Sequence, residues 1–204
     1  MRGCVGETRM VGTNIVAFSR VARIKLHRSG GDQRGGPIGT NLEVFVVETR
    51  ETAAILESLA ESAREAGVFG EVAVVVDGSG GRVIARAQAS AAPAEYRVEI
   101  EKGEACVGVF TSDRWLSHSV EADLLNTGDD LEELLEEELV EVGYVGKAPS
   151  IDHYRNDEKM FAFRSRTGIQ LNEADAEAKI LQVLRAYEAC FRHLGDMHKD
   201  GEDE

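Results

Sequence analysis

Little in this sequence can be crosslinked or ligated. Its three cysteines, Cys4, Cys106 and Cys190, are odd in number and widely spaced, with no CxxC pair and no histidine at ligand spacing. That pattern excludes a disulfide framework and leaves reduced thiols in a cytoplasmic protein as the expectation. No apolar run approaches the roughly 20 residues that cross a bilayer, and no basic n-region followed by an apolar h-region marks a secretory signal. A soluble chain without a membrane partner is expected. A phosphate-binding motif is missing too. The glycine-rich stretch 78–81 leads into VIARAQAS, a strand pattern with no helix start and no Lys-Ser/Thr pair, so it reads as a hairpin turn.

What the chain has is acid, unevenly placed. Of 204 residues, the first 41 carry seven Lys/Arg against two Asp/Glu, net +5, and the remainder carry 16 against 35, net −19. An acidic body repels phosphate backbones, which argues against nucleic acid as a partner of residues 42–204 and favours a basic one. The first 41 residues hold one strand-like piece, Ile15 to Leu26, and then a cluster of Gly with Asp, Gln and Arg. Such a cluster cannot bury enough surface to offset ordering entropy, so residues 1–41 are expected to be a basic, flexible arm.

From Leu42 the pattern becomes that of a globular domain. LEVFVV (42–47) reads as a short buried strand, and Thr49 to Ala66 as a helix with Ile55, Leu56, Leu59 and Ala63 on one face and glutamates off it, closed by Gly67. Four strand-like runs follow, at 71–76, 82–90, 96–101 and 105–110, with connections short enough to force antiparallel neighbours. The segment 111–144 holds the only Trp and the densest run of glutamate. It is expected to be a helix pair, the first with Trp115, Leu116, Val120 and Leu124 inward, the second with a leucine stripe against the sheet. A strand from 114 to 124 is the alternative. A second hairpin at 151–166 follows, and a capping box at Asn172 and Asp175 opens a long helix with Ile180, Leu184, Tyr187, Phe191 and Leu194 in one stripe. Residues 42–196 thus read as one α+β domain, an antiparallel sheet packed by an N-terminal helix, a central helix pair and a long C-terminal amphipathic helix, with 197–204 a disordered acidic tail.

Candidate sites are few. Asp113-Arg114-Trp115 puts charge beside a large aromatic at an element boundary, which suits an interface anchor, and Tyr187 and Phe191 on the last helix suit a partner or dimer face. His118, Glu121 and His153 are the only grouping that could bind a metal or ligand, with Arg164 as a further polar group on the open face of the sheet; a metal site there would need a third ligand from elsewhere. Cys106, in ACVGVF, reads as a buried thiol rather than a nucleophile. No cofactor is expected.

From Thr49 to Leu194, about three quarters of the chain, the order of elements resembles the CesT/YbjN-like family of type III secretion chaperone-like proteins. The resemblance implies a small acidic dimer that binds extended segments of other proteins. The chain departs from the family pattern by a fourth strand, the helix pair at 112–142 and the basic arm. A non-enzymatic, chaperone-like protein-binding domain is the leading expectation, and a small enzyme or ligand-binding domain near His118 and His153 is the alternative.

Overall fold

The computed structural model describes residues 40–77 and 80–198, and among these the helix α1 (Thr40–Ala66) precedes the sheet. The expected strand at 42–47 is its first two turns instead. A short apolar run fits either a buried strand or a helix, and no Gly or Pro separates Val47 from the amphipathic stretch after it. Extending a helix adds one hydrogen bond per residue fixed, without a new nucleus. The strand expected at 15–26, the rest of the arm before Thr40 and the tail beyond His198 lie outside the described residues.

Four strands follow in meander: β1 (Val72–Asp77), β2 (Gly80–Arg86), β3 (Ala94–Glu101) and β4 (Glu104–Thr111). The last β1–β2 pair is Asp77 with Gly80, so the glycine-rich stretch joins consecutive antiparallel strands, as expected of a hairpin. The chain then leaves the sheet for α2 (Arg114–Thr127) and α3 (Leu131–Glu141), returns as β5 (Asp152–Arg155) and β6 (Phe161–Gln170), and closes with α4 (Ala176–Phe191). Because β6 sits beside β4 and β5 lies outside it, the order is β1-β2-β3-β4-β6-β5, antiparallel throughout. The class is α+β.

One face of this sheet is the core. Val83, Val98, Val107 and Ser165 align across β2, β3, β4 and β6, and Ala85, Tyr96, Val109 and Phe163 align beside them, all buried. α1 covers the β1–β2 end with Leu56, Leu59, Ala60 and Ala63, while Glu57, Glu61 and Glu65 face out. α4 lies over β3, β4 and β6 and is buried on nearly every side. Its stripe therefore faces its own chain. Tyr187 and Phe191, expected to contact a partner, are both 0% exposed. The capping box expected ahead of α4 does not form either: Asp175 occupies the cap position without a side-chain cap bond.

α3 corrects a further expectation, since it packs on α4 rather than on the sheet, burying Leu135 and Leu139. α2 is a helix, not the alternative strand, because both ends are capped. The Asp113 carboxylate, rather than Thr111 or Ser112, accepts from the N–H groups of Trp115 (2.7 Å) and Leu116 (3.0 Å), and Gly128 ends the helix at φ 78°. Beyond α4, Gly195–Met197 form a 3₁₀ turn with Met197 buried, so the packed body extends past residue 196.

Candidate functional site

On the face of the sheet opposite the helices, arginines and glutamates pair with one another, although Arg82 Nε and Arg164 Nε are buried without a hydrogen bond among the described residues. Arg97, only 4% exposed, lies 4.4 Å over the Phe110 ring and bonds Glu95 (2.5 Å) and Glu158 (2.7 Å). Glu158 also holds Arg82 at 2.8 Å. Arg164 lies 3.1 Å from Glu99 and 2.5 Å from Glu101, and Arg166 pairs with Glu101 as well. Cys106 is buried in this layer, and desolvation pushes its thiol above the ordinary range. Burial likewise pushes Cys190 up to about 12. Both are protonated at neutral pH and poor nucleophiles.

The alternative grouping assembles only in part. His153 pairs across the strands with Phe163, on the helix side of the sheet, whereas Arg164 pairs with Asp152 on the other side, so these two groups do not meet. His118 is exposed on the outside of α2. Glu121 does reach His153, with Oε1 3.6 Å from Nδ1, and the third member is Ser117, whose Oγ lies 3.3 Å from His153 Nε2 and 3.4 Å from Glu121 Oε1. A serine, a histidine and an acid in contact resemble a hydrolytic triad by residue type. Here Ser117 is 2% exposed and its hydroxyl lies against both partners at once, while the imidazole stacks flat on Phe163 at 4.0 Å. The arrangement ties α2 to β5. Among the described residues no group of three His, Cys, Asp or Glu side chains could hold a metal ion.

That tie is one of several on the inner side of α2. Leu116 and Val120 are buried, Asp123 Oδ2 accepts from Gly195 N–H (2.9 Å), and Ser119 Oγ accepts from Asp196 N–H (3.0 Å). Gly195 is needed there. Its φ is 51°, and a Cβ would stand 2.5 Å from the Ser119 carbonyl carbon.

With its inner side fixed, α2 presents its outer side rigidly. Trp115, His118, Ala122 and Leu125 are spaced three, four and three apart, which aligns them on one helical face. Trp115, expected to face inward with Leu116 and Val120, is instead 76% exposed, because it sits on the opposite side of the helix from them, and Leu125 is 84% exposed. Arg114 is exposed beside them. Asp113 keeps a different role, since its carboxylate is used as the helix cap. Of the residues expected to contact a partner, Arg114 and Trp115 are therefore available, Asp113 positions them, and Tyr187 and Phe191 are core. Leu125 and Ala122 escaped sequence reasoning because the stronger stripe of Leu116, Val120 and Leu124 runs through the same helix.

No family model, no curated protein and no solved structure matches this chain.

Proposed function

We propose that the chain is an acidic protein-binding domain, chaperone-like in being non-enzymatic, that docks a segment of another protein on the outer face of α2. The observation that carries this reading is the exposed Trp115 and Leu125 on a helix whose opposite face is clamped by Ser117, Ser119 and Asp123. At about 25 cal/mol per Å² of apolar surface, covering that indole and that isobutyl group would contribute roughly 5 kcal/mol. Aromatic anchors held on a rigid element lose little entropy when bound. The net charge of −19 beyond residue 41 favours a partner segment with Lys or Arg flanking its apolar side chains. The element order that resembles the CesT/YbjN-like family supports the same reading.

The test compares what co-purifies from the protein's own cell extract with the wild-type chain and with the double variant Trp115→Ala/Leu125→Ala. A basic protein retained by the wild type and lost at least tenfold from the variant, with unchanged melting temperature, is the expected result. The same retained set on both proteins would overturn the assignment.

A further inference from the structure

The two ends of the outer face of α2 carry opposite charge. Arg114 occupies the first position of the helix, exposed beside Trp115. A cation there opposes the helix's own positive end, so the charge of Arg114 works against α2 rather than for it. The cap is supplied by Asp113.

At the other end, three residues beyond Leu125, Gly128 stops the helix, and the Asp129 N–H donates to Thr127 Oγ1 at 3.3 Å, which keeps Asp129 beside the last turn. Asp129 is exposed, and α3 is capped not by it but by Asp130, which accepts from Glu132 N–H at 2.8 Å. Glu133 follows, exposed, in the first turn of α3. Between the two ends the acids of α2 turn inward, Glu121 to His153 and Asp123 to Gly195. The outer face is thus an apolar span from Trp115 to Leu125, roughly 15 Å long at 1.5 Å per residue, with a cation at its start and anions past its end.

We propose, resting on docking at α2, that the docked segment is itself dipolar and lies in one direction. It sets a carboxylate beside Arg114, apolar side chains over Trp115 and Leu125, and its lysines or arginines at Asp129 and Glu133. The acidic body sets the sign of the partner as a whole. The two ends of α2 set the order of charges along the segment, because a reversed one would bring like charges together at both ends.

Trp115 is the only tryptophan of the chain, so its emission reports docking directly. The probes are tryptophan-free peptides selected by random-sequence display on the full chain. Binders should carry acid at one end and base at the other, shift the emission of Trp115 to the blue, and be lost with Trp115→Ala/Leu125→Ala. Arg114→Glu should weaken them about fivefold at low salt, and exchanging the peptide's acid for lysine should restore the affinity. Asp129→Lys should act in the same way at the opposite end, restored by exchanging the peptide's base for glutamate. Arg114→Glu should melt no lower than the wild type, since an anion suits that end of the helix.

Peptides that need Trp115 and Leu125 but respond to neither reversal, or gain from one, would overturn the charge order and leave docking at α2 standing. An empty selection, or peptides indifferent to Trp115→Ala/Leu125→Ala, would overturn both. Light scattering that gave twice the chain mass for the wild type and half that for the double variant would assign the face to a second copy, and would overturn the proposal too.

Discussion

The Tyr187 hydroxyl donates to Ser165 Oγ at 2.5 Å, because Ser165 spends its own proton on Ser150 O at 2.7 Å. This chain of two hydrogen bonds joins the centre of α4 to β6 and to the segment entering β5. A residue whose spacing suits a partner surface is thus an internal strut.

Tyr187→Phe should lower stability by about 1 kcal/mol, the usual net worth of a buried hydrogen bond, since Ser165 keeps its acceptor and only the phenol's donor is lost. Trp115→Ala should change stability by less than about 0.5 kcal/mol. Denaturant melts of the two variants check both values, and a larger loss at Trp115 than at Tyr187 would reverse their assignment to surface and core.

Gly195→Ala should cost about 2 kcal/mol or more, from the left-handed backbone and the contact with Ser119 together. The loss should show first in α2, because Gly195 and Asp196 hold its inner side. Amide exchange across 114–127 faster than in α4 is the expected signature.

Glu188 is buried on α4, and desolvation holds its carboxyl above the ordinary carboxylate range, only partly offset by Arg192 at 3.6 Å. A raised folded-state pKa means that stability is complete below the unfolded value, near 4.3, and is lost as pH rises through the folded one. Glu188→Gln should therefore stabilise the protein at pH 7 and make no difference by about pH 4. Thermal melts across that range test the sign.

Glu158 behaves in the opposite sense. Hydrogen bonds from Arg97 and then Arg82 hold its carboxyl below the usual range. Its contribution is present above the unfolded value and disappears as pH falls through the lowered one. Glu158→Gln should melt below the wild type at pH 6 to 8, and the gap should close in acid. A gap that widened in acid would contradict the network on the outer face of the sheet.

Much of this architecture was readable in one dimension. Period-two runs with short connections dictate an antiparallel meander, and periodic apolar residues mark α3 and α4, because side-chain periodicity is a local property of the chain; at 114–124 the pattern left helix and strand both open. The six apolar residues at 42–47 were not decided locally, since strand and helix bury such a run equally well and only continuity with the following turns selects the helix. Tertiary structure alone decided which side of each element is used. It buried Tyr187 and Phe191 between helices and sheet, put α3 on α4, brought Ser117 and Glu121 to His153 while leaving His118 outside, and left Trp115 exposed. Those outcomes depend on which surfaces meet across long stretches of chain, and an amphipathic pattern states that a face will be covered without stating by what.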